Sequence, residues 1–289
     1  MIHNIGLIIN YRRAQAVFLA ENLVIWLKNR GIKVCLMEAD ALGKSKLDLP
    51  IQDICQEKPD MAIALGGDGT FLRAARLTAP HQVPVLGINL GHLGFLSEVE
   101  EFAVYPELEK ILTGQFIVDE RMMLQAELRR GGKIFKTFHG LNDVVIHKGA
   151  LSRLLQMNVW VEDDYVGHYK ADGIILASPT GSTAYSLSAG GPVVHPDLEV
   201  MVLTPICPHT LNGRPTIIPA TRRCTIEVEN ATSEVMLTVD GQTGFSLEEK
   251  DQIIVTRAPF KAAFIRIHPQ RFFNVLRNKL VEADRVSYE

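Results

Sequence analysis

The sequence predicts an α/β fold followed by a β-rich fold. We expect an N-terminal doubly wound parallel-sheet domain, a C-terminal β-rich (sandwich-like) domain and a C-terminal helix that returns to the first domain. Strands alternate with helices in the first part of the chain, which is typical of a parallel sheet. Beyond Gly114 the turn signals come closer together and the segments become strand-like. The chain has 289 residues, 47% of them hydrophobic, enough for about two domains with substantial cores.

The elements of the first domain follow from short apolar runs that have the length of buried strands. These strands are predicted at residues 5–9, 32–37, 61–65 and 85–88. A helix is predicted over residues 13–30, because apolar residues at helical spacing form one stripe and Gly31 ends it. A second helix is predicted over residues 71–77.

The second domain is predicted from shorter, alternating segments. Residues 123–129 and 133–138 flank Gly131-Gly132 and predict a hairpin. Another strand is predicted at residues 154–161, and a further pair of strands at residues 224–228 and 234–239. Residues 271–280 have a helical pattern again.

These patterns place the domain boundaries near Gly114 and near Ile265. We expect the first domain to comprise residues 1–115 with residues 266–289 packed back on it. Residues 116–265 would then form the β-rich domain.

Composition and charge exclude several classes of protein. The formal net charge of −3 gives no reason to expect nucleic acid or an anionic membrane as a partner. The apolar run near the N-terminus is too short for a signal peptide, and no stretch approaches the roughly 18 apolar residues of a membrane span. The four cysteines lack the spacing of a zinc site or a disulfide framework. We therefore expect a soluble, cytoplasmic protein.

A glycine turn, Gly66-Gly67-Asp68-Gly69-Thr70, follows the third predicted strand. In α/β proteins a strand, a glycine turn and a helix hold phosphates, because backbone N–H groups converge there and the helix N-terminus carries partial positive charge. A carboxylate repels phosphate, so Asp68 is explained either as a Mg²⁺ ligand or as a base that activates an attacking hydroxyl. The alternative is a tight turn in which Asp68 only caps the helix.

Two other glycine-containing segments fall short of nucleotide-binding motifs. Residues 43–45 resemble the end of a P-loop, but Glu38 stands where the first glycine is required. The segment 87–94 lacks the middle glycine of a dinucleotide-binding fingerprint, because Asn89 occupies it. We expect Gly91 and Gly94 to form a tight loop rather than to contact a ligand.

The second informative stretch is Lys170-Ala171-Asp172-Gly173 followed, after a short strand, by Ser178-Pro179-Thr180-Gly181-Ser182-Thr183-Ala184-Tyr185-Ser186. Small residues let a flat ring approach the backbone, and hydroxyls can form hydrogen bonds to its edge. By itself such a stretch is also compatible with a flexible serine-rich loop. The flanking Pro179 and Pro192 favour an ordered one.

Together these segments resemble the NAD kinase family, in order and spacing over most of the chain. The resemblance rests on Leu-Gly-Gly-Asp-Gly-Thr at 65–70, Gly-Ile-Asn-Leu-Gly-His-Leu-Gly-Phe-Leu at 87–96, Leu-Asn-Asp at 141–143 and Pro-Thr-Gly-Ser-Thr-Ala-Tyr-Ser at 179–186. Lipid kinases and 6-phosphofructokinases have similar Gly-Gly-Asp-Gly loops, whereas the Thr-Gly-Ser-Thr-Ala-Tyr block separates NAD kinases from them. The resemblance implies transfer of the ATP γ-phosphoryl group to the adenosine 2′-hydroxyl of NAD, which gives NADP.

The resemblance also implies roles for individual residues. Asp68 would be the general base, and the phosphate or nucleotide contacts would be Gly66, Gly67, Gly69, Thr70 and Arg73, the last of which is otherwise an ordinary solvated helix residue. The NAD-binding residues would be Asp68, Gly69, Asn142, Asp143, Arg153, Lys170, Asp172, Thr183, Ala184, Tyr185, Ser186, Leu187, Ser188 and Gln242. The first domain would bind phosphate and the second NAD.

The cofactors implied are ATP as phosphoryl donor and Mg²⁺ or another divalent metal, whose ligands the sequence does not identify. The family implies a homo-oligomer, a tetramer or a dimer. Lys170 stands where NAD-specific bacterial members often have Arg, so preference between NAD and NADH stays open. Two alternatives stay open as well: a lipid or sugar kinase with the same loop, and a nucleotide-binding regulator that has lost phosphoryl transfer.

Overall fold

The computed structural model describes residues 2–37, 47, 49–50, 53–54, 58–91, 94–149, 153–209, 213–229, 234–268 and 272–286. The predictions for residues 43–45, and the part of the 87–96 segment at residues 92–93, lie outside the described residues, as does residue 271 at the start of the predicted final helix. The chain forms two compact units, Met1–Glu120 with Ala262–Glu289, and Arg121–Lys261.

The first unit contains a parallel sheet with its connecting helices. Its elements are β1 (Asn4–Ile9), α1 (Ala14–Lys28), β2 (Lys33–Leu36), β3 (Met61–Gly66), α2 (Asp68–Thr78), β4 (Val85–Asn89), β5 (Val99–Glu100) and α3 (Val104–Leu112). The last helix, α5 (Phe272–Val286), belongs to this unit, as predicted.

The strands of this sheet run in the order β2-β1-β3-β4, and every pair among them is parallel. The order reverses between β1 and β3. Because crossover connections are right-handed, α1 and α2 cover opposite faces of the sheet. In such doubly wound sheets ligands bind outside the carboxyl ends of the strands at the reversal. Asn10 and Leu65 lie there side by side, since the Asn10 N–H donates to the Leu65 carbonyl at 3.0 Å.

The burial of β3 and α1 explains why their apolar patterns predicted them correctly. All six residues of β3 are buried, as a strand covered on both faces requires. Helix α1 buries the predicted apolar stripe, Ala16, Ala20, Leu23 and Leu27. Helix α2 begins at Asp68, three residues before the predicted start, because Gly67 is the single residue that separates the end of β3 from the helix.

The second unit is built almost entirely from strands, and the chain enters it within one strand and leaves it within another. The elements are β6 (Ile117–Arg130), β7 (Lys133–Gly140), β8 (Asp143–Lys148), β9 (Leu155–Val161), β10 (Asp164–Ala171), β11 (Gly173–Ala177), α4 (Tyr185–Ser188), β12 (Val200–Ile206), β13 (Thr216–Pro219), β14 (Cys224–Val228), β15 (Val235–Val239), β16 (Thr243–Leu247) and β17 (Gln252–Arg266).

Two antiparallel sheets form this unit. One has the order β13-β12-β11-β8-β15-β16, and the other contains β10-β9-β14-β17. Ile146 and Leu237 from the first sheet share one hydrophobic core with Val159 and Ile226 from the second. The predicted hairpin is confirmed, since β6 and β7 pair with Leu124 opposite Gly140.

The predicted pairing of residues 224–228 with 234–239 is wrong. Strand β14 pairs with β9 and β17, whereas β15 pairs with β8 and β16. Both strands bury every second residue in the same core, so their alternation does not reveal that they belong to different sheets. Among the described residues, no helix is long and apolar enough to cross a membrane.

Candidate active site

The glycine turn of the first unit lies at the reversal point of the parallel sheet. Strand β3 ends at Gly66, Gly67 is extended, and Asp68 opens α2, with the Thr70 N–H donating to the Gly67 carbonyl at 2.9 Å. The first N–H groups of a helix have no acceptor within the helix and carry partial positive charge. The turn therefore presents an electropositive backbone where α/β sheets bind ligands.

The Asp68 carboxylate is held at one oxygen only. Its Oδ2 accepts a hydrogen bond from the Phe95 N–H at 3.3 Å. Its Oδ1 is buried and has no hydrogen-bond partner among the residues that the structure describes. Burial raises the pKa of Asp68 above that of an ordinary aspartate, and this outweighs the N–H groups of Phe95 and Leu96 and the charge of Lys279, which lower it. A buried carboxylate with a raised pKa and an open oxygen is suited to accepting a proton.

The other residues predicted to contact phosphate lie on the same turn. Gly67 has open space where a side chain would be, and Gly69 is exposed. Arg73, one helical turn further on, donates from Nη2 to the Ile9 carbonyl at 3.1 Å. This bond ties the guanidinium group to the carboxyl end of β1, next to the glycine turn.

The second unit contains a pocket of about 720 Å³ beside the end of β15. Its lining is Asn142, Asp143, Val145, His147, Lys148, Gly149, Asp172, Ala184, Tyr185, Ile206, Thr238, Asp240 and Gly241. Five of these residues were predicted to bind NAD: Asn142, Asp143, Asp172, Ala184 and Tyr185. The others were not singled out from the sequence.

Asp240 organises one wall of this pocket. Its carboxylate accepts three successive backbone N–H groups, from Leu141 at 3.0 Å, Asn142 at 2.7 Å and Asp143 at 3.2 Å. Its own backbone is left-handed, with φ 52°, and its N–H donates to the Asp143 carbonyl at 3.0 Å. The sequence signal for this residue was the turn-forming Asp240-Gly241 pair, which says nothing about its distant partners.

Asp143 lies beside Asp240 and is 4% exposed. Burial, together with the charge of Asp240, raises the pKa of Asp143 to about 7. Near neutral pH this carboxyl group is therefore able to hold its proton, and in that form it can donate as well as accept a hydrogen bond.

A third carboxylate of the pocket is paired with a side chain. Asp172 follows β10, and its Oδ1 lies 3.1 Å from Nζ of Lys148 at the end of β8. Lys148 was missed in the sequence because a lysine at a strand end is an ordinary surface residue. The pairing was visible only once β8 and β11 were seen to be neighbours.

Several hydroxyls of the 178–186 stretch are used within the fold. Ser178 Oγ donates to the Leu141 carbonyl at 2.5 Å, and Ser182 Oγ donates to the Pro179 carbonyl at 2.7 Å. Ser186 Oγ bonds to Thr204 Oγ1 at 2.9 Å. Gly181 packs so closely on Asn142 that a Cβ would collide with its backbone. These contacts order the stretch, as its flanking prolines suggested.

The remaining residues predicted to bind NAD do not line the pocket. Lys170 is exposed at the end of β10, and Gln242 is exposed next to Gly241. The others outside the lining are Arg153, Thr183, Ser186, Leu187 and Ser188 of the second unit, together with Asp68 and Gly69 of the first. No group of three or more His, Cys, Asp or Glu residues within the described ranges is arranged to hold a metal ion.

A glycine turn that opens a helix at the carboxyl ends of a parallel sheet is a phosphate-binding arrangement, and an aspartate there with an open oxygen is typical of a phosphotransferase. The comparisons with known proteins give the family. Residues 5–116 match the ATP-NAD kinase N-terminal domain, and residues 141–267 match the ATP-NAD kinase C-terminal domain. The chain belongs to the NAD kinase family.

Similar proteins cover nearly the whole chain. The NAD kinase of Moorella thermoacetica is 46% identical over 284 residues, which are 97% of this chain and 90% of that protein. The NAD kinase of Geotalea daltonii is 44% identical over 271 residues, which are 94% of this chain and 95% of that protein.

Two solved structures share the fold. Yeast NADH kinase complexed with NADH superposes with a TM-score of 0.87 at 24% identity, covering 97% of this chain and 88% of that one. An NAD kinase from Archaeoglobus fulgidus in complex with ATP gives a TM-score of 0.72 at 23% identity, covering 96% and 98%. At such identities the likeness concerns the fold.

Proposed function

We propose that this protein is an ATP-dependent NAD kinase that transfers the γ-phosphoryl group of ATP to the adenosine 2′-hydroxyl of NAD, with Asp68 as general base. The evidence for the reaction is that the chain belongs to the NAD kinase family. The observation that carries the role of Asp68 is its half-buried carboxylate, which has one oxygen bonded to the backbone and the other without a partner among the described residues.

The proposed chemical step is an in-line displacement. As the 2′-oxygen forms its bond to the γ-phosphorus, its proton passes to the Asp68 carboxylate. The bond between the γ-phosphorus and the β,γ-bridging oxygen breaks, so ADP leaves and NADP forms. A positioned general base typically contributes about 10²–10⁴-fold to such a rate, because a neutral hydroxyl is a weak nucleophile.

Phosphate groups are assigned to the glycine turn of the first unit. Gly66, Gly67, Gly69 and Thr70 offer the electropositive backbone of a helix start, and Arg73 adds a cation tied to the end of β1. We thus assign phosphate binding to residues 1–115 with 266–289, and NAD binding to residues 116–265.

The nucleoside part of NAD is assigned to the pocket of the second unit. Asp143 and Asp172 line it, and their carboxyl groups favour hydrogen-bond donors such as ribose hydroxyls and an adenine amino group over phosphate. Asn142, Ala184 and Tyr185 share the lining. The assignments of Arg153, Lys170, Thr183, Ser186, Leu187, Ser188 and Gln242 as NAD contacts rest on the family resemblance alone.

We propose that Mg²⁺, or another divalent metal, enters with ATP. Magnesium keeps several waters and is usually held by substrate phosphates with one or two carboxylates, which agrees with the lack of a three-ligand cluster among the described residues. When bound, it would neutralise polyphosphate charge. A cytoplasmic homo-oligomer, a dimer or a tetramer, is proposed from the family resemblance.

The test is NADP formation by the purified protein from NAD, ATP and Mg²⁺, detected with an NADP-specific dehydrogenase. Asp68→Asn keeps the shape of the side chain and removes the base, so we expect kcat to fall about 10²–10⁴-fold while NAD still binds in calorimetry. Asp197→Asn is the matched control, because Asp197 is 81% exposed.

Each outcome decides one part of the proposal. Near-normal kcat in Asp68→Asn would refute the assignment of the base but not the reaction. NAD binding without any NADP from the wild-type protein would favour a nucleotide-binding regulator. Activity only on lipid or sugar acceptors would point to the other kinase classes.

A further inference from the structure

Gly94 lies against the Asp68 carboxylate. A Cβ placed on Gly94 would come closer than 3.0 Å to Oδ1, Cγ and Oδ2 of Asp68, a separation that real side-chain atoms essentially never show. A Cβ on Gly91, three residues earlier, would meet only Arg13 Nη1, at 3.8 Å, which is ordinary contact. The two positions therefore differ in what an added side chain would meet.

We propose that Gly94 is a positioning residue for the Asp68 carboxylate: its missing side chain leaves the space in which that carboxylate lies. The inference rests on the proposed role of Asp68 as base. It assigns to Gly94 a function that the expectation of a plain tight loop did not include.

The segment that follows Gly94 is anchored to the first unit. Arg266 donates from Nη1 to the Leu96 carbonyl at 3.0 Å and pairs with Glu98 at 3.2 Å, and both of these charged side chains are only 2% exposed. Glu98 also accepts the Ile267 N–H at 3.0 Å, and its own N–H donates to the Gly87 carbonyl at 3.1 Å.

A second bond anchors Gly94 itself, whose N–H donates to Ser97 Oγ at 3.1 Å, and Ser97 is buried. The Asp68 side chain, by contrast, has two rotatable bonds, and its hydrogen bond to the Phe95 N–H is long, at 3.3 Å. A methyl group at position 94 therefore displaces the carboxylate more readily than it displaces the loop.

Displacement of a reacting group strongly lowers the rate of the chemical step. A misplacement of about 1 Å can cost about 10²-fold, because the effective molarity of a positioned group depends on its alignment. Substrate binding depends on other residues and is expected to stay nearly unchanged. The expected signature is loss of kcat with little change in KM.

The first experiment compares Gly94→Ala with Gly91→Ala in steady-state kinetics. We expect kcat of Gly94→Ala to fall about 10- to 100-fold, with KM for NAD within about threefold of wild type. Gly91→Ala should keep kcat within about twofold. Wild-type kcat in Gly94→Ala would overturn the inference, as would an equal loss of kcat in both variants.

The second experiment measures thermal unfolding and does not depend on activity. Gly94→Ala should lower Tm, and adding Asp68→Ala should restore Tm to that of Asp68→Ala alone, because the colliding carboxylate is then gone. Adding Asp68→Asn, which has the same shape as Asp68, should not restore it. If Asp68→Ala fails to restore Tm, the collision is elsewhere and the inference is wrong.

The two proposals can fail separately. If Asp68→Asn keeps its kcat, the role of Asp68 as base fails, and the unfolding data still decide whether Gly94 makes room for that side chain. If Asp68→Asn is inactive but Gly94→Ala behaves as wild type in both experiments, only the positioning role fails.

Discussion

Asp68 in the first unit and Asp240 in the second are both aspartates next to glycine, yet their carboxylates differ in how many backbone hydrogen bonds they accept. Asp240 accepts three backbone N–H groups at 2.7–3.2 Å. Asp68 has one oxygen bonded at 3.3 Å and the other buried without a partner among the described residues. The difference lies in how much of each carboxylate's bonding capacity the fold itself uses.

A carboxylate that is fully bonded to the backbone fixes a turn and is unavailable to a reacting proton. One that is buried and only partly bonded destabilises the fold and keeps an open acceptor. Functional sites commonly hold such groups at a cost in stability. The comparison therefore supports the proposal that Asp240 holds a turn and that Asp68 acts as the base, and stability measurements on the two can test it.

The largest expected effect is the difference in stability between two alanine variants, Asp240→Ala and Asp68→Ala. Asp240→Ala leaves three backbone N–H groups without their acceptor, and each buried unsatisfied donor costs about 1–3 kcal/mol, so we expect a loss of about 3 kcal/mol or more. Asp68→Ala removes a half-buried carboxylate whose buried Oδ1 has no partner among the described residues, and should leave Tm unchanged or higher. Chemical denaturation and calorimetry measure both.

Asp240→Asn is the matched control for this pair. It keeps one acceptor oxygen, so its loss of stability should be smaller than that of Asp240→Ala. A large loss for Asp68→Ala, similar to that for Asp240→Ala, would contradict the division of roles.

A smaller effect is expected from the pH dependence of stability at Asp143. Burial and Asp240 raise the pKa of Asp143 to about 7 in the folded protein, so the folded state holds this proton more tightly than the unfolded state. The resulting stabilisation is complete below the ordinary aspartate pKa of about 4 and is lost as the pH rises through about 7. Asp143→Asn cannot titrate.

The measurement is Tm against pH for wild type and Asp143→Asn. The difference in Tm, variant minus wild type, should grow in favour of the variant between about pH 5 and pH 8. Asp197→Asn, at an exposed position, should show no such trend. A difference that stays constant over this range would mean that Asp143 carries no raised pKa.

The smallest effect on stability is expected at Lys148. Its side chain forms an ion pair with Asp172, whereas Asp240 is bonded to backbone N–H groups. The two side chains are 22% and 36% exposed, and such pairs contribute about 0–1 kcal/mol. Lys148→Met should therefore change the free energy of unfolding by less than about 1 kcal/mol, measured by chemical denaturation. A loss of about 2 kcal/mol or more would contradict the weak, partly exposed pairing.

The parts of the fold that were predictable are those that local pattern determines. Strand β3 is a continuous apolar run stopped by glycines, and α1 has a clear stripe. Strands β14 and β15 were also found, but their partners were not. Pairing depends on contacts across the sheet, and two strands with the same alternation carry no local mark of which sheet they join.

The same limit applies to the candidate site. Asp68 was found because the turn that presents it is local in sequence. Asp240 was missed because it binds N–H groups nearly a hundred positions away, and the turn-forming Asp240-Gly241 pair does not indicate those partners. Gly94 was seen as a loop glycine, and only the structure shows which side chain occupies the space beside it.

The bond between Asn142 and Asp240 joins residues 98 positions apart. Strands β8 and β15, which adjoin these residues, must close a long loop before they pair, and such non-local contacts form slowly. During synthesis this wall of the pocket cannot form until residue 240 has left the ribosome. The residues of the glycine turn, by contrast, are all made before β4, so the nascent chain contains its proposed phosphate-binding turn long before the wall of its proposed nucleoside pocket.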